Sequence, residues 1–167
     1  MDKRSAVIER KTKETDIAIE LNLDGSGKSE IQTGIGFFDH MLDGFARHGL
    51  FDLTVRVKGD LHVDGHHTVE DTGIVLGNAI KEAVGDKAGI SRYGFFILPM
   101  DDALALFAVD LCGRPWLESD CSITAPLIGA LPPDLLRELF YSVSYSSGLH
   151  LPNTMLSLRP GSYILEV

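Results

Sequence analysis

Gly65-His66-His67-Thr68-Val69-Glu70-Asp71 is the stretch on which the reading of this 167-residue chain turns. Written as the start of a helix, it sets His66 and Glu70 one turn apart on one face, with His67 also next to Glu70. Two imidazoles and a carboxylate at one spot form a ligand set for a divalent metal. Neighbouring side chains point about 100° apart on a helix. One metal ion would therefore rarely take both histidines, and two metals, or a site shared at an interface, suit the spacing better. Spacing alone does not separate this from a solvated helix start.

Working outward, Asp64 is placed to cap the helix. Val69, Gly73, Leu76, Ile80 and Val84 give it an inward face, and Gly85-Asp86 ends it. Upstream, Phe51, Leu53, Val55 and Val57 alternate with polar residues, which is the period of a half-buried strand. Before it, Phe37, Met41 and Phe45 form one helical stripe with His40 beside it, and Gly49 stops that helix. Thr15, Ile17, Ile19, Leu21 and Leu23 mark another strand. Asp24-Gly25-Ser26-Gly27 turns, and Ser29 to Thr33 reads as the return, so a hairpin is expected here. The first half thus reads β-β-α-β-α.

Downstream, the pattern starts again. Tyr93 to Leu98 reads as a strand. Ala103 to Leu111 is nearly all apolar, which predicts a strand covered on both faces. Trp116 and Cys121 fall in a weaker strand or loop. Pro132 and Pro133 open a helix through Leu135, Leu136 and Leu139 that ends near Gly148, and Leu149 to Leu158 is extended. The expectation is one α+β domain, 1–167, built as a duplicated β-β-α-β-α unit with halves 1–86 and 87–167. The second copy is divergent or truncated at its C-terminus, where the last helix is not seen.

Composition is that of an ordinary globular chain, with 44% hydrophobic and 23% charged residues. A net charge of −9 speaks against non-specific nucleic-acid binding, which needs a basic face. It does not bar a small anionic substrate, because a few local arginines outweigh a distant acidic surface. Cys112 and Cys121 read as reduced thiols. Met1-Asp2-Lys3-Arg4 is not followed by the apolar run of a signal peptide, and no run reaches transmembrane length. A cytoplasmic protein without membrane or nucleic-acid partners is expected.

An ordered set of motifs now adds to this reading. It comprises Arg10-Lys11-Thr12-Lys13-Glu14-Thr15, Thr33-Gly34-Ile35-Gly36-Phe37-Phe38-Asp39-His40-Met41-Leu42, His48-Gly49-Leu50-Phe51-Asp52-Leu53 and the double-histidine stretch continued to Gly73. Gly85-Asp86-Lys87-Ala88-Gly89-Ile90-Ser91-Arg92, Pro99-Met100-Asp101-Asp102 and Gly113-Arg114-Pro115 complete it. Together these resemble the imidazoleglycerol-phosphate dehydratases of histidine biosynthesis. The resemblance implies a hydro-lyase that converts imidazole glycerol phosphate to imidazole acetol phosphate, with the duplicated fold read above. It implies two manganese ions per site and a homo-oligomer of 24 chains with metal sites between subunits. His40, His66, His67 and Glu70 match the family's first-half metal ligands. Arg92 and Arg114 match positions that grip the substrate phosphate, and Glu14 matches a carboxylate at the substrate that carries a proton.

The residue types suit that chemistry. A proton on carbon next to an imidazole is poorly acidic, and metal bound to the ring nitrogens stabilises the anion left behind. Imidazole and carboxylate donors without thiolate accept manganese, and also zinc, iron or cobalt. Past about residue 140 the motifs fade, on the count of matched residue types. The family's second histidine-rich set falls on Leu139, Ser162, Tyr163 and Glu166. That departure carries the alternative expectation, a catalytically impaired metal-binding protein of the same fold.

Overall fold

The computed structural model describes residues 4–101, 103–120 and 126–158. Its elements run β1 (Ser5–Lys11), β2 (Thr15–Asn22), β3 (Ser29–Gln32), α1 (Gly36–Gly49), β4 (Asp52–Gly59) and α2 (His66–Val84). There follow β5 (Tyr93–Met100), β6 (Ala103–Asp110), β7 (Trp116–Asp120), α3 (Asp134–Ser147) and β8 (His150–Leu158). Two four-stranded sheets result, ordered β1-β2-β4-β3 and β5-β6-β8-β7. In both, the first three strands are antiparallel and the last pair is parallel. Identical order and direction make the duplication of the β-β-α-β-α unit plain, with one more short strand ahead of the first helix of each copy. Asp102, Cys121, Ser162, Tyr163 and Glu166 lie outside the described residues.

The alternation in β2 folds as its period demands. Ile17, Ile19 and Leu21 are buried while Asp16 and Glu20 face out. They meet Leu53 and Val55 of β4, and Phe38, Leu42 and Ala46 of α1, in one core shared with α2 and α3. Each such fully buried isoleucine, leucine, valine or phenylalanine contributes about 1.5–3 kcal/mol. The two copies dock through α2 and α3. A Cβ on Gly73 would lie 2.8 Å from Ser142 Cβ, and one on Gly77 2.8 Å from both Ser146 Cβ and the Val143 carbonyl. Only hydrogen at 73 and 77 lets the helices approach this closely. Among the described residues, no helix is long and apolar enough to cross a membrane.

Four expectations are corrected. The hairpin between β2 and β3 does not form. β2 instead pairs with β1, whose charged residues hid it from a reading by alternation, and β3 pairs in parallel with β4 at the far edge. Asp52 fixes that crossing, its Oδ1 accepting the backbone N–H groups of Ser26 and Lys28. The buried stripe of α1 is Phe38, Leu42 and Ala46, one residue on from Phe37, Met41 and Phe45. Phe45 is exposed and, with Met41, lines an apolar cleft. β6 is not covered on both faces: of its residues only Ala103 is buried. Phe107 borders the same cleft, and the residues after Ala103 are half-buried. Gly49 is the last residue of α1, and the left-handed cap is Leu50, at φ 57°.

Candidate active site

The turn from β4 into α2 builds the site. Val63 N–H donates to the Asp60 carbonyl at 2.8 Å, and His66 N–H donates to Asp64 Oδ1 at 2.8 Å. Asp64 therefore serves the first free amide of α2 from one position before the cap, Gly65. The helix opens with His66 and His67 on its surface. Their rings lie 6.0 Å apart at 83°, so the two imidazoles diverge. His66 Nδ1 stands 3.7 Å from Glu70 Oε2, one turn along. That is contact range for an ion pair, beyond hydrogen-bond length. His67 turns the other way and donates from Nδ1 to Asp60 Oδ2 at 3.0 Å. The donation leaves Nε2 of His67 as its open ligand atom.

Three carboxylates set the electrostatics here. Asp60 pushes the His67 imidazole up from its ordinary value through the hydrogen bond, against desolvation and with help from Glu14 and Asp64. The other oxygen of Asp60, Oδ1, is buried and makes no hydrogen bond. A carboxylate oxygen buried without a hydrogen-bond partner leaves negative charge uncompensated, which favours a cation nearby. Glu14 sits in the turn between β1 and β2. Thr12 closes that turn: its Oγ1 accepts from the N–H of Glu14 at 3.1 Å and of Thr15 at 2.9 Å. Asp71, on α2, accepts from Thr15 Oγ1 at 2.5 Å and from Arg10 Nε at 3.1 Å. Glu14, Asp60, His66 and His67 thus share one corner of the first sheet. Asp60 and Asp71 were not singled out by sequence reasoning. Their signal was the one that marks a supporting carboxylate, an acid close in sequence to the histidines.

The remaining site residues fall elsewhere. His40 is exposed on α1 beside Phe37, with ring centroids 6.1 Å apart. Among the described residues, no three histidine, cysteine or acidic side chains are grouped closely enough to hold a metal ion. The donor chemistry at His66, His67 and Glu70 fits a divalent metal, and the described residues of one chain supply part of a coordination sphere. Arg92 and Arg114 are brought together around Asp110. Arg92 makes a two-pronged contact to it, Nε to Oδ1 at 2.7 Å and Nη2 to Oδ2 at 3.0 Å, with its guanidinium over the Tyr93 ring. Arg92, and more weakly Cys112 and then Arg114, hold the Asp110 carboxyl below the usual carboxylate range against desolvation. Among the described residues, no hydrogen bond or ion pair joins these arginines to His66 or His67.

The duplication itself corrects one assignment. α1 and α3 have 14 residues each and end on left-handed caps, Leu50 and Gly148. His40 is the fifth residue of α1, and the fifth of α3 is Glu138. Leu139, set against a ligand histidine on motif grounds, is instead buried in the core against Gly73. The outward-facing counterpart of His40 is a carboxylate, which is also a donor for a hard divalent ion.

Known proteins share this architecture. The family model described as imidazoleglycerol-phosphate dehydratase matches residues 33–160, so the likeness continues past residue 140. The imidazoleglycerol-phosphate dehydratase of Lachnoclostridium phytofermentans is 56% identical over 163 residues, covering 98% of this chain and 83% of that protein. That of Acetivibrio thermocellus is 55% identical over 148 residues, covering 89% and 76%. The crystal structure of the Staphylococcus aureus imidazoleglycerol-phosphate dehydratase matches with a TM-score of 0.82 at 32% identity, over 92% of this chain and 84% of that one. The structure of the Pyrococcus furiosus protein matches with a TM-score of 0.77 at 35% identity, over 90% and 80%.

Proposed function

Because the chain belongs to the imidazoleglycerol-phosphate dehydratase family of hydro-lyases, we propose that it dehydrates imidazole glycerol phosphate with the aid of bound manganese. The observation that carries this is the corner at the start of α2, where two divergent imidazoles and the carboxylates of Glu14 and Asp60 meet. His66, His67 and Glu70 would hold the metal, which when bound draws charge from the substrate imidazole and makes the neighbouring carbon-bound proton removable. Glu14 takes up or returns that proton. Asp60 keeps the His67 ring turned with Nε2 outward. Arg92 and Arg114 grip the phosphate far from the reacting bond, and that binding energy positions the substrate. Because the described residues of one chain group too few donors, His40 of one copy completes the metal site of another. A homo-oligomer follows, with 24 chains as the size implied by the family resemblance. Its other partner is the small phosphate substrate, and its setting is the cytoplasm.

A second reading, a catalytically impaired metal-binding protein of the same fold, is favoured by one observation: the sequence has Ser162 and Tyr163 where the family's second pair of histidines is expected. Turnover of imidazole glycerol phosphate by the purified chain, with metal content measured alongside, separates the two. Manganese-dependent turnover is the expected result. Bound manganese with no turnover supports the second reading, and neither metal nor turnover overturns both.

A further inference from the structure

Asp71 differs from every other carboxylate at this corner in being buried, at 8% exposure. It follows Glu70 on α2 and so points about 100° away from it, into the seam between the helix and the first sheet. There its two oxygens take Thr15 Oγ1 at 2.5 Å, Arg10 Nε at 3.1 Å and Arg10 Nη2 at 3.0 Å. Arg10 and Thr15 bracket the turn that carries Glu14, one near the end of β1 and the other at the first position of β2. Within the turn, the Thr12 hydroxyl accepts both the Glu14 and the Thr15 N–H. The two ends of the Glu14 turn are therefore tied to one carboxylate on the helix that begins with His66 and His67.

We propose that Asp71 is a positioning residue: it fixes Glu14 relative to the imidazole pair, so that the Glu14 carboxylate meets substrate at a set distance and angle. This rests on the reading of Glu14 as the proton carrier. A misplacement of about 1 Å can cost about a hundredfold in rate, and a short turn held only by its own strands would allow that much. A purely structural tie would stabilise the fold and leave Glu14 indifferent to it.

The test is a double-mutant cycle on turnover of imidazole glycerol phosphate. Thr15→Val keeps the shape of a buried side chain but removes its bond to Asp71, and Thr15→Ser keeps the bond. Thr15→Val and Asp71→Asn should each lower kcat about tenfold or more, with KM moving far less, and Thr15→Ser should stay within about twofold of the starting enzyme. In a Glu14→Gln background, Thr15→Val should cause no further loss, because its effect runs through Glu14. If Asp71→Asn does not fold, the Thr15 pair decides alone. Losses that add in the Glu14→Gln background would overturn the role given to Asp71 while leaving Glu14 in place. Glu14→Gln turning over at the full rate would overturn the Glu14 reading, and with it this proposal.

Discussion

His66 and His67 leave α2 in different directions, and each already has a carboxylate of its own, Glu70 and Asp60. The divergence was legible from two adjacent letters, because helix geometry dictates it. The partner Asp60 was not, since it lies in a turn whose path no periodicity describes. His66→Ala and His67→Ala should each weaken divalent metal binding at least about tenfold, the least expected when losing a supporting residue alone costs 10–100-fold. Elemental analysis and manganese titration check this, and Glu138→Ala should act in the same direction as the counterpart of His40 in the second copy. Arg92→Ala or Arg114→Ala should cost substrate affinity about 1.5–3 kcal/mol while leaving metal content unchanged, which calorimetric titration resolves. Asp110 adds a pH dependence. Its carboxyl is held low in the folded chain by Arg92, so its stabilisation is present above the ordinary carboxylate value and is lost as pH falls through the folded one. Asp110→Asn should remove that acid-side loss, as read from denaturant unfolding between about pH 5 and pH 2.

Elements form here where local pattern and packing agree, and they surprise where packing alone decides. β2 and β4 were readable because one face of the first sheet is buried and the other wet. β1 was hidden by Glu9, Arg10 and Lys11, which the edge of the sheet tolerates because Glu9 and Lys11 face solvent and Arg10 pairs with Asp71 of α2. α1 was found but rotated by one residue, since Phe37 and Phe38, Met41 and Leu42, and Phe45 and Ala46 offer two apolar stripes and only contact with the first sheet chooses between them. The α2–α3 seam gives the sharpest test at this scale. Gly77→Ala gains about 1 kcal/mol in helix propensity, but its Cβ would meet Ser146 Cβ and the Val143 carbonyl at 2.8 Å. Overpacking of a tight site costs about 1–3 kcal/mol, so the net effect is destabilising, and Gly77→Leu should be worse. Gly44→Ala, on α1 with nothing within 4 Å, should instead stabilise by up to about 1 kcal/mol. Urea midpoints of the variants should move in opposite directions with unchanged slopes.

The two sheets present unlike outer faces, and this bears on how the whole molecule works. Asp16, Glu20, Glu30, Arg56 and Lys58 cover the outside of the first, where Arg56 bridges Glu20 and Glu30. The outside of the second carries Tyr93 at 66%, Phe95 at 77% and Ile97 at 46% exposure. Its inside borders an apolar cleft of about 610 Å³ between Phe96, Leu98 and Phe107 and the α1 residues Met41 and Phe45. The apolar run of Ala103 to Leu111 announced cover on both faces, whereas β6 is buried only at Ala103 and half-buried along the rest of its length. Exposed apolar area on this scale marks an interaction surface rather than a solvated one. The proposed metal site, for which the described residues of one chain group too few donors, asks for the same thing, another copy. We therefore expect the outer face of β5 to be buried against a second chain, where its exposed aromatic residues Tyr93 and Phe95 would contribute most. Phe95→Glu sets a charge in that face without touching the core, so secondary structure should persist while sedimentation velocity shows a smaller particle. Bound metal should fall with it, because His40 of one copy would no longer reach the helix start of another. A particle of unchanged size with full metal content would remove the link between this face and the site.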